Sequence, residues 1–244
     1  MPSKRTLFRT LAVESVTNAR RFFADAKRLK RVGSRGHAVA FAVLSIEESS
    51  KALIYRLVAE GVLRMVRRNP NHVTTFTENE LLNHQFKHEV LASAFVEYLR
   101  YGPFYEVAER LRKPNFSKAE VRELVLRAVS AHRVMQVDLQ GGGRAAQEIQ
   151  RLLSLLKRLN DIKNRGLYVG HTNHRISRPR DVRTSELREV LELGEAAIEI
   201  SEEALRRSYS ERERQLQKET NKAMLSSIRR AQRRAAGKGK GPAV

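Results

Sequence analysis

Three short stretches of the chain place titratable side chains at spacings that could handle a phosphate. In Lys163-Asn164-Arg165-Gly166-Leu167-Tyr168-Val169-Gly170-His171, an arginine stands six positions before a histidine, with a tyrosine between them. A guanidinium grips phosphate through paired donors and stays charged. An imidazole takes or gives a proton near neutrality. Arg165, Tyr168 and His171 are therefore a minimal set for cutting RNA without a metal, and Lys163 and Asn164 are candidate substrate contacts beside them. On a helix Arg165 and Tyr168 share a face, being three apart. Gly170 is a natural helix stop, which frees His171 to turn back toward Arg165. A lone Arg-x5-His spacing is weak, because it arises by chance in many basic chains.

The second stretch is Ile46-Glu47-Glu48-Ser49-Ser50-Lys51-Ala52. Glu47 and Lys51 are four apart and can pair on one helix face, while Glu48 projects elsewhere. Two acids and a lysine inside an apolar helix cost burial energy unless they are paired or used. The bland alternative is a salt bridge at the edge of a bundle. The third stretch is Asn83-His84-Gln85-Phe86-Lys87-His88. His84, Lys87 and His88 share a face by their spacing. A histidine pair four apart binds a metal only with a third ligand, and no His-Glu-x-x-His is present. No metal or cofactor is therefore expected, and His84 and Lys87 are read as substrate-facing, with Lys51.

These residues are carried by a strongly basic chain of 244 residues. Its 47 Lys+Arg against 27 Asp+Glu leave a net charge of +20. Such a field attracts polyanions, of which nucleic acid is the commonest in a cell. With 41% hydrophobic residues a sizeable core is possible. There are no cysteines, which excludes disulfides, cysteine-zinc sites and a catalytic thiol, and fits a reducing cytoplasm. The start of the chain lacks the apolar core of a signal peptide. The longest apolar run, near residues 38–46, is about half the length of a membrane span.

Every long segment has the 3.6-residue period, so the expected fold is all-α, an antiparallel helical bundle. The first helix is expected over 6–30 and a second, apolar nearly all round, over 37–67. Thr77-Glu78-Asn79-Glu80 and Ser117-Lys118-Ala119-Glu120 are capping boxes that open helices to about 101 and 139. Gly141-Gly142-Gly143 is a break. A further helix spans 144–168, a polar basic loop 170–183, and a long last helix begins near Thr184. The domain is expected over 1–204, followed by a basic helical extension and disordered tail over 205–244. A P-loop and a strand-borne aspartate pair are both absent.

Taken together, the Ile46-Glu47-Glu48-x-x-Lys51-Ala52 segment, the later His84-x-x-Lys87 and the Lys163-Asn164-Arg165-Gly166-Leu167-Tyr168-Val169 stretch resemble the AbiV abortive-infection family of the HEPN superfamily. The similarity covers about residues 8 to 200. It implies a helical, homodimeric, metal-independent ribonuclease that acts in defence against bacteriophage, with a phage-encoded activator or antitoxin-like partner as a further possibility. On that resemblance His171 is the general base on a ribose 2′-hydroxyl, Arg165 neutralises the phosphate, Tyr168 donates a hydrogen bond or stacks, and Glu47 or Glu48 orients the site. AbiV sequences carry an acid just after Tyr-Val, where this chain has Gly170, and that departure makes His84 the alternative base. The rival readings are a non-catalytic RNA- or ribosome-binding protein and a sensor of a phage protein.

Overall fold

The computed structural model describes residues 3–66, 75–84, 86–95, 97–98, 123, 125–127, 129, 143–168, 170–172 and 175–206. The expected helix over 117–139, the glycine break at 141–142 and the extension beyond Arg206 lie outside the described residues, apart from isolated helical positions between 123 and 129. The chain divides into two compact units, residues 1–93 with 157–244, and residues 94–156. The second unit includes the first half of helix α4 below and an ion pair between Arg127 and Glu123. The first holds the main packed core.

Helix α1 runs Lys4–Arg31. Ser3 caps it, its Oγ accepting the Thr6 backbone N–H at 3.1 Å, which satisfies one of the free donors of a first turn. Phe8, Ala12, Val16, Ala19, Phe23 and Ala26 are buried at helical spacing, one stripe against the neighbouring helix. The apolar period also admits Leu7 to that stripe, but Leu7 is exposed. Phe8 takes its place, one position round the helix. Gly33, at φ +80°, ends α1 in the left-handed conformation that glycine adopts at least cost.

Helix α2 (Arg35–Ala59) is buried nearly all round and is the centre of the unit, in contact with α1, α5 and the turn before α5. It stops well short of the expected residue 67. Gly61, at φ +73°, closes it, with the Val62 N–H bonded to the Leu57 carbonyl at 2.9 Å. Val62 and Leu63 prolong the apolar pattern beyond the true end, which is why periodicity alone overshoots.

A two-residue parallel pair joins β1 (Arg64–Met65) to β2 (Thr75–Phe76). Helix α3 is only Glu78–Leu82. The helix expected from Thr77 to Tyr101 breaks at Asn83, and among the described residues 84, 86–95 and 97–98 are helical again. Helix α4 (Arg144–Leu167) ends at its expected place. The expected loop after it contains an antiparallel hairpin, β3 (Gly170–Thr172) with β4 (Arg175–Ser177), and a 3-10 turn Pro179–Asp181. Strands of three residues are too short to show alternation. Helix α5 (Thr184–Arg206) packs on α2 and α1, and Ser201 Oγ donates to the Ser49 carbonyl of α2 at 3.0 Å. The architecture is all-α, with only these two short strand pairs among the described residues. No described helix is long and apolar enough to cross a membrane.

Two close contacts fix the end of the unit where α2 begins. A Cβ on Gly166 would lie 2.4 Å from the Gly36 carbonyl oxygen, and one on Gly36 would lie 2.4 Å from the Pro179 carbonyl oxygen. Backbone therefore meets backbone here, and only glycine fits. At the other end of α2, the buried Glu60 carboxylate binds Arg5 at 3.0 Å, Arg9 at 2.9 Å and Arg56 at 2.5 Å. Arg56 Nε also donates to the Ala204 carbonyl of α5 at 3.1 Å, so one node joins α1, α2 and α5.

Candidate active site around Glu47

Glu47 lies near the middle of α2, on the face turned toward α4 and the segment that carries His84. Its carboxylate is buried, with a side chain 7% exposed. Lys163 Nζ donates to Oε1 at 2.8 Å and Lys87 Nζ to Oε2 at 3.2 Å. His84 Nδ1 stands 2.8 Å from Oε1. That distance permits an ion pair, but the angle is poor for a hydrogen bond, and Nδ1 has no hydrogen-bond partner. His88 is buried beside them, with its ring centroid 6.5 Å from that of His84. Its Nε2 is also without a hydrogen-bond partner.

Local sequence explains the convergence. Asn83 interrupts the helix, and its carbonyl accepts the Lys87 N–H at 3.4 Å. After the break, Phe86 stacks on Phe76 at 5.2 Å. Its spacing then turns His84, Lys87 and His88 toward α2. On α4, Lys163 and Arg165 are about 200° apart around the axis, so an inward Lys163 requires an outward Arg165.

The electrostatics follow from burial. Burial opposes the charge on Glu47, but Lys163, Lys87 and His84 together outweigh it and hold the carboxyl below its ordinary value. Burial also pulls Lys87 below its usual range, with Glu47 acting against that pull. His84 is lowered by burial more than Glu47 raises it, and the two lysines add to the lowering. His88 is pushed down to about 4, mainly by burial. Both rings are therefore neutral at neutral pH.

The remaining expected site residues are distributed around this centre. Lys51 pairs with Glu48 and not with Glu47, because Glu47 turns inward to the lysines. Arg165 is 44% exposed and binds Glu186 at 2.5 Å. Glu186 is buried in the first turn of α5, where an acid is favoured by the helix dipole, and its second oxygen lacks a hydrogen-bond partner. Asn164 is exposed. Tyr168 is 64% exposed, and its backbone N–H bonds the Asn164 carbonyl at 2.9 Å. The helix ends at Leu167, and His171 enters the hairpin opposite Ile176. The His171 side chain lies outside the described residues.

Sequence reasoning did not identify Glu186 as the partner of Arg165, nor the Glu60 node. An acid in a predicted first helical turn was the available signal for the former, and the four-residue spacing of Arg56 and Glu60 for the latter. Among the described residues no group of three or more acids and histidines has the arrangement of a metal site.

A profile of the HEPN AbiV family, described as AbiV, matches residues 8–198. No curated protein and no solved structure matches the chain significantly. The matched region takes in all three stretches that supply the Glu47 cluster, and it covers most of the 244 residues. The chain belongs to the AbiV family of HEPN proteins.

Proposed function

We propose that this protein is an abortive-infection defence protein that acts as a metal-independent endoribonuclease. Family membership points to defence against phage. The observation that carries the catalytic reading is the half-exposed His84 ring, set 2.8 Å from the buried Glu47 carboxylate. A carboxylate this close to one ring nitrogen favours the proton on that side, which leaves the other nitrogen as an acceptor. A histidine that is neutral at neutral pH is ready to act as a base.

In this mechanism the free nitrogen of His84 takes the proton of a ribose 2′-hydroxyl. The oxygen attacks the adjacent phosphorus, and the P–O5′ bond breaks. The products are a 2′,3′-cyclic phosphate and a 5′-hydroxyl, whose oxygen takes its proton from solvent. Lys87 and Lys163 keep Glu47 ionised. Lys51, partly exposed and close enough to act on Lys87, is the cation available to the phosphoryl oxygens in this arrangement. A second reading keeps His171 as the base with Arg165. It is favoured by the hairpin, which begins three residues after α4 ends and keeps His171 close in the chain to Arg165. The proposal includes RNA as substrate, homodimeric assembly, cytoplasmic action and control by a phage-encoded activator or antitoxin-like partner.

The test is incubation of wild type, His84→Gln and His171→Ala with end-labelled RNA in EDTA, followed by analysis of the termini. The expected result is cleavage by wild type with cyclic phosphate ends and a loss of roughly 10²–10⁴ in rate for His84→Gln. The same loss in His171→Ala alone would move the base to His171. Salt-sensitive RNA binding with no cleavage by any form would overturn the enzyme and leave a binding module.

A further inference from the structure

We propose that the end of the unit where α2 begins is a docking surface for single-stranded RNA, separate from the Glu47 cluster. The proposal rests on the RNA-cleavage reading for its choice of polyanion, and it names how that substrate is held.

The surface is assembled by the glycine contacts already described. Gly166 against Gly36, and Gly36 against Pro179, bring the last turn of α4, the first turn of α2 and the 3-10 turn to one place. Arg35 ties this end together, donating to the Arg180 carbonyl at 3.1 Å and to Thr184 Oγ1 at 3.3 Å. The side chains thus gathered are Arg35, Arg165, Arg178, Arg180 and Arg183, all exposed. Their acidic neighbours are few. Glu186 is buried against Arg165, and Asp181 accepts the Arg178 backbone N–H at 2.8 Å. Arg178, Arg180 and Arg183 form no ion pair with a described residue.

Around this fixed turn Arg178, Arg180 and Arg183 offer planar paired donors to phosphate, and Arg35 and Arg165 add charge although donors of both are engaged within the fold. Charge alone does not separate RNA from an acidic protein. Tyr168 does, because its ring is 64% exposed directly after α4, and an uncovered aromatic beside a basic track is a stacking platform for an unpaired base. A duplex keeps its bases stacked inside and gains nothing from that ring. The occupant is therefore a single strand, its backbone on the arginines and one base on Tyr168.

The measurement uses the full chain with a 5-iodouridine-substituted single-stranded RNA. Binding is read across salt concentrations and photo-crosslinks are mapped by mass spectrometry. Wild type, Arg180→Gln/Arg183→Gln, Tyr168→Ala and Arg64→Gln, an exposed arginine beyond the far end of α2, are compared. The expected result is an adduct on Tyr168. The double arginine variant should lower the slope of log affinity against log salt by about 1.4, two phosphate contacts at about 0.7 each. Tyr168→Ala should weaken binding roughly five- to a hundred-fold. Arg64→Gln should bind RNA as wild type does. If the basic extension alone holds RNA, adducts fall only beyond residue 206 and the variants bind normally, which overturns the proposal. Equal affinity for duplex with no Tyr168 adduct overturns it too. An RNA that crosslinks to Tyr168 yet is never cut sustains this surface and sinks the ribonuclease.

Discussion

Glu47 holds the site together, and in the proposed ribonuclease it carries the chemistry as well. Two lysines donate to its oxygens from residues 40 and 116 positions away in the chain. Removing its charge leaves both ammonium groups buried without a counter-ion. Glu47→Gln should therefore cost about 3–5 kcal/mol, measured as a fall in the urea midpoint. Lys87→Met should cost less, because Lys163 still meets the carboxylate and the methionine fills the space. Equal losses in the two variants would mean that the carboxylate is satisfied by water and not by the lysines. The fate of Arg165 is the opposite. It sits on the outward face of α4 and answers to Glu186 on the next helix. The proposed catalysis and the proposed docking thus draw on opposite faces of one helical turn.

At the scale of elements, α1, α4 and the start of α5 were legible because each shows a clean apolar stripe between recognisable ends. The end of α2 was not. Gly61 stops it, but Val62, Leu63 and Met65 continue the apolar pattern. The break at Asn83 was hidden inside a continuous helical pattern, yet it orients His84. The residues of the cluster were legible one stretch at a time. Their meeting was not, because Glu47 pairs with Lys163 through space and not with Lys51 along its own helix. Glu47 and Lys51 had the ideal spacing, but two buried lysines outcompeted one half-exposed one for the inward carboxylate. Gly166 was read only as part of a motif, whereas the structure gives it a packing role. Gly166→Ala places a methyl 2.4 Å from a backbone oxygen, so α4 must back away from α2. The expected cost is about 1–3 kcal/mol, read by urea denaturation, with cleavage falling in parallel because Lys163 shifts. An unchanged midpoint would show that the helices have slack at this crossing.

At the scale of the whole molecule, acid should be the weak point. His88 has a folded value of about 4 against an ordinary 6.5, so the unfolded chain takes up its proton first as pH falls. Its contribution is complete above about pH 6.5 and drains away between 6.5 and 4, by about 3 kcal/mol. His84 is lowered in the same sense. Glu47 and Glu60, both held below 4.5, contribute above that pH and lose their share as pH falls through their folded values. Thermal midpoints should therefore fall steadily from pH 7 to pH 4. A flat profile over that range would mean that water reaches His88 and lets it titrate normally. The net charge of +20 adds self-repulsion, which is screened by salt.

The crossing of α4 over α2 has a mechanical meaning as well. Contacts between side chains yield by rotating bonds, whereas the crossing at Gly36 and Gly166 has no rotatable group on either side. Lys163 lies one turn before it and Arg35 one residue away. A strand held on the arginines as proposed would load a stiff joint that stands one helical turn from the lysine bonded to Glu47. If RNA binds as proposed, tension on it and the alignment of the cluster are thus geared to each other by two glycines.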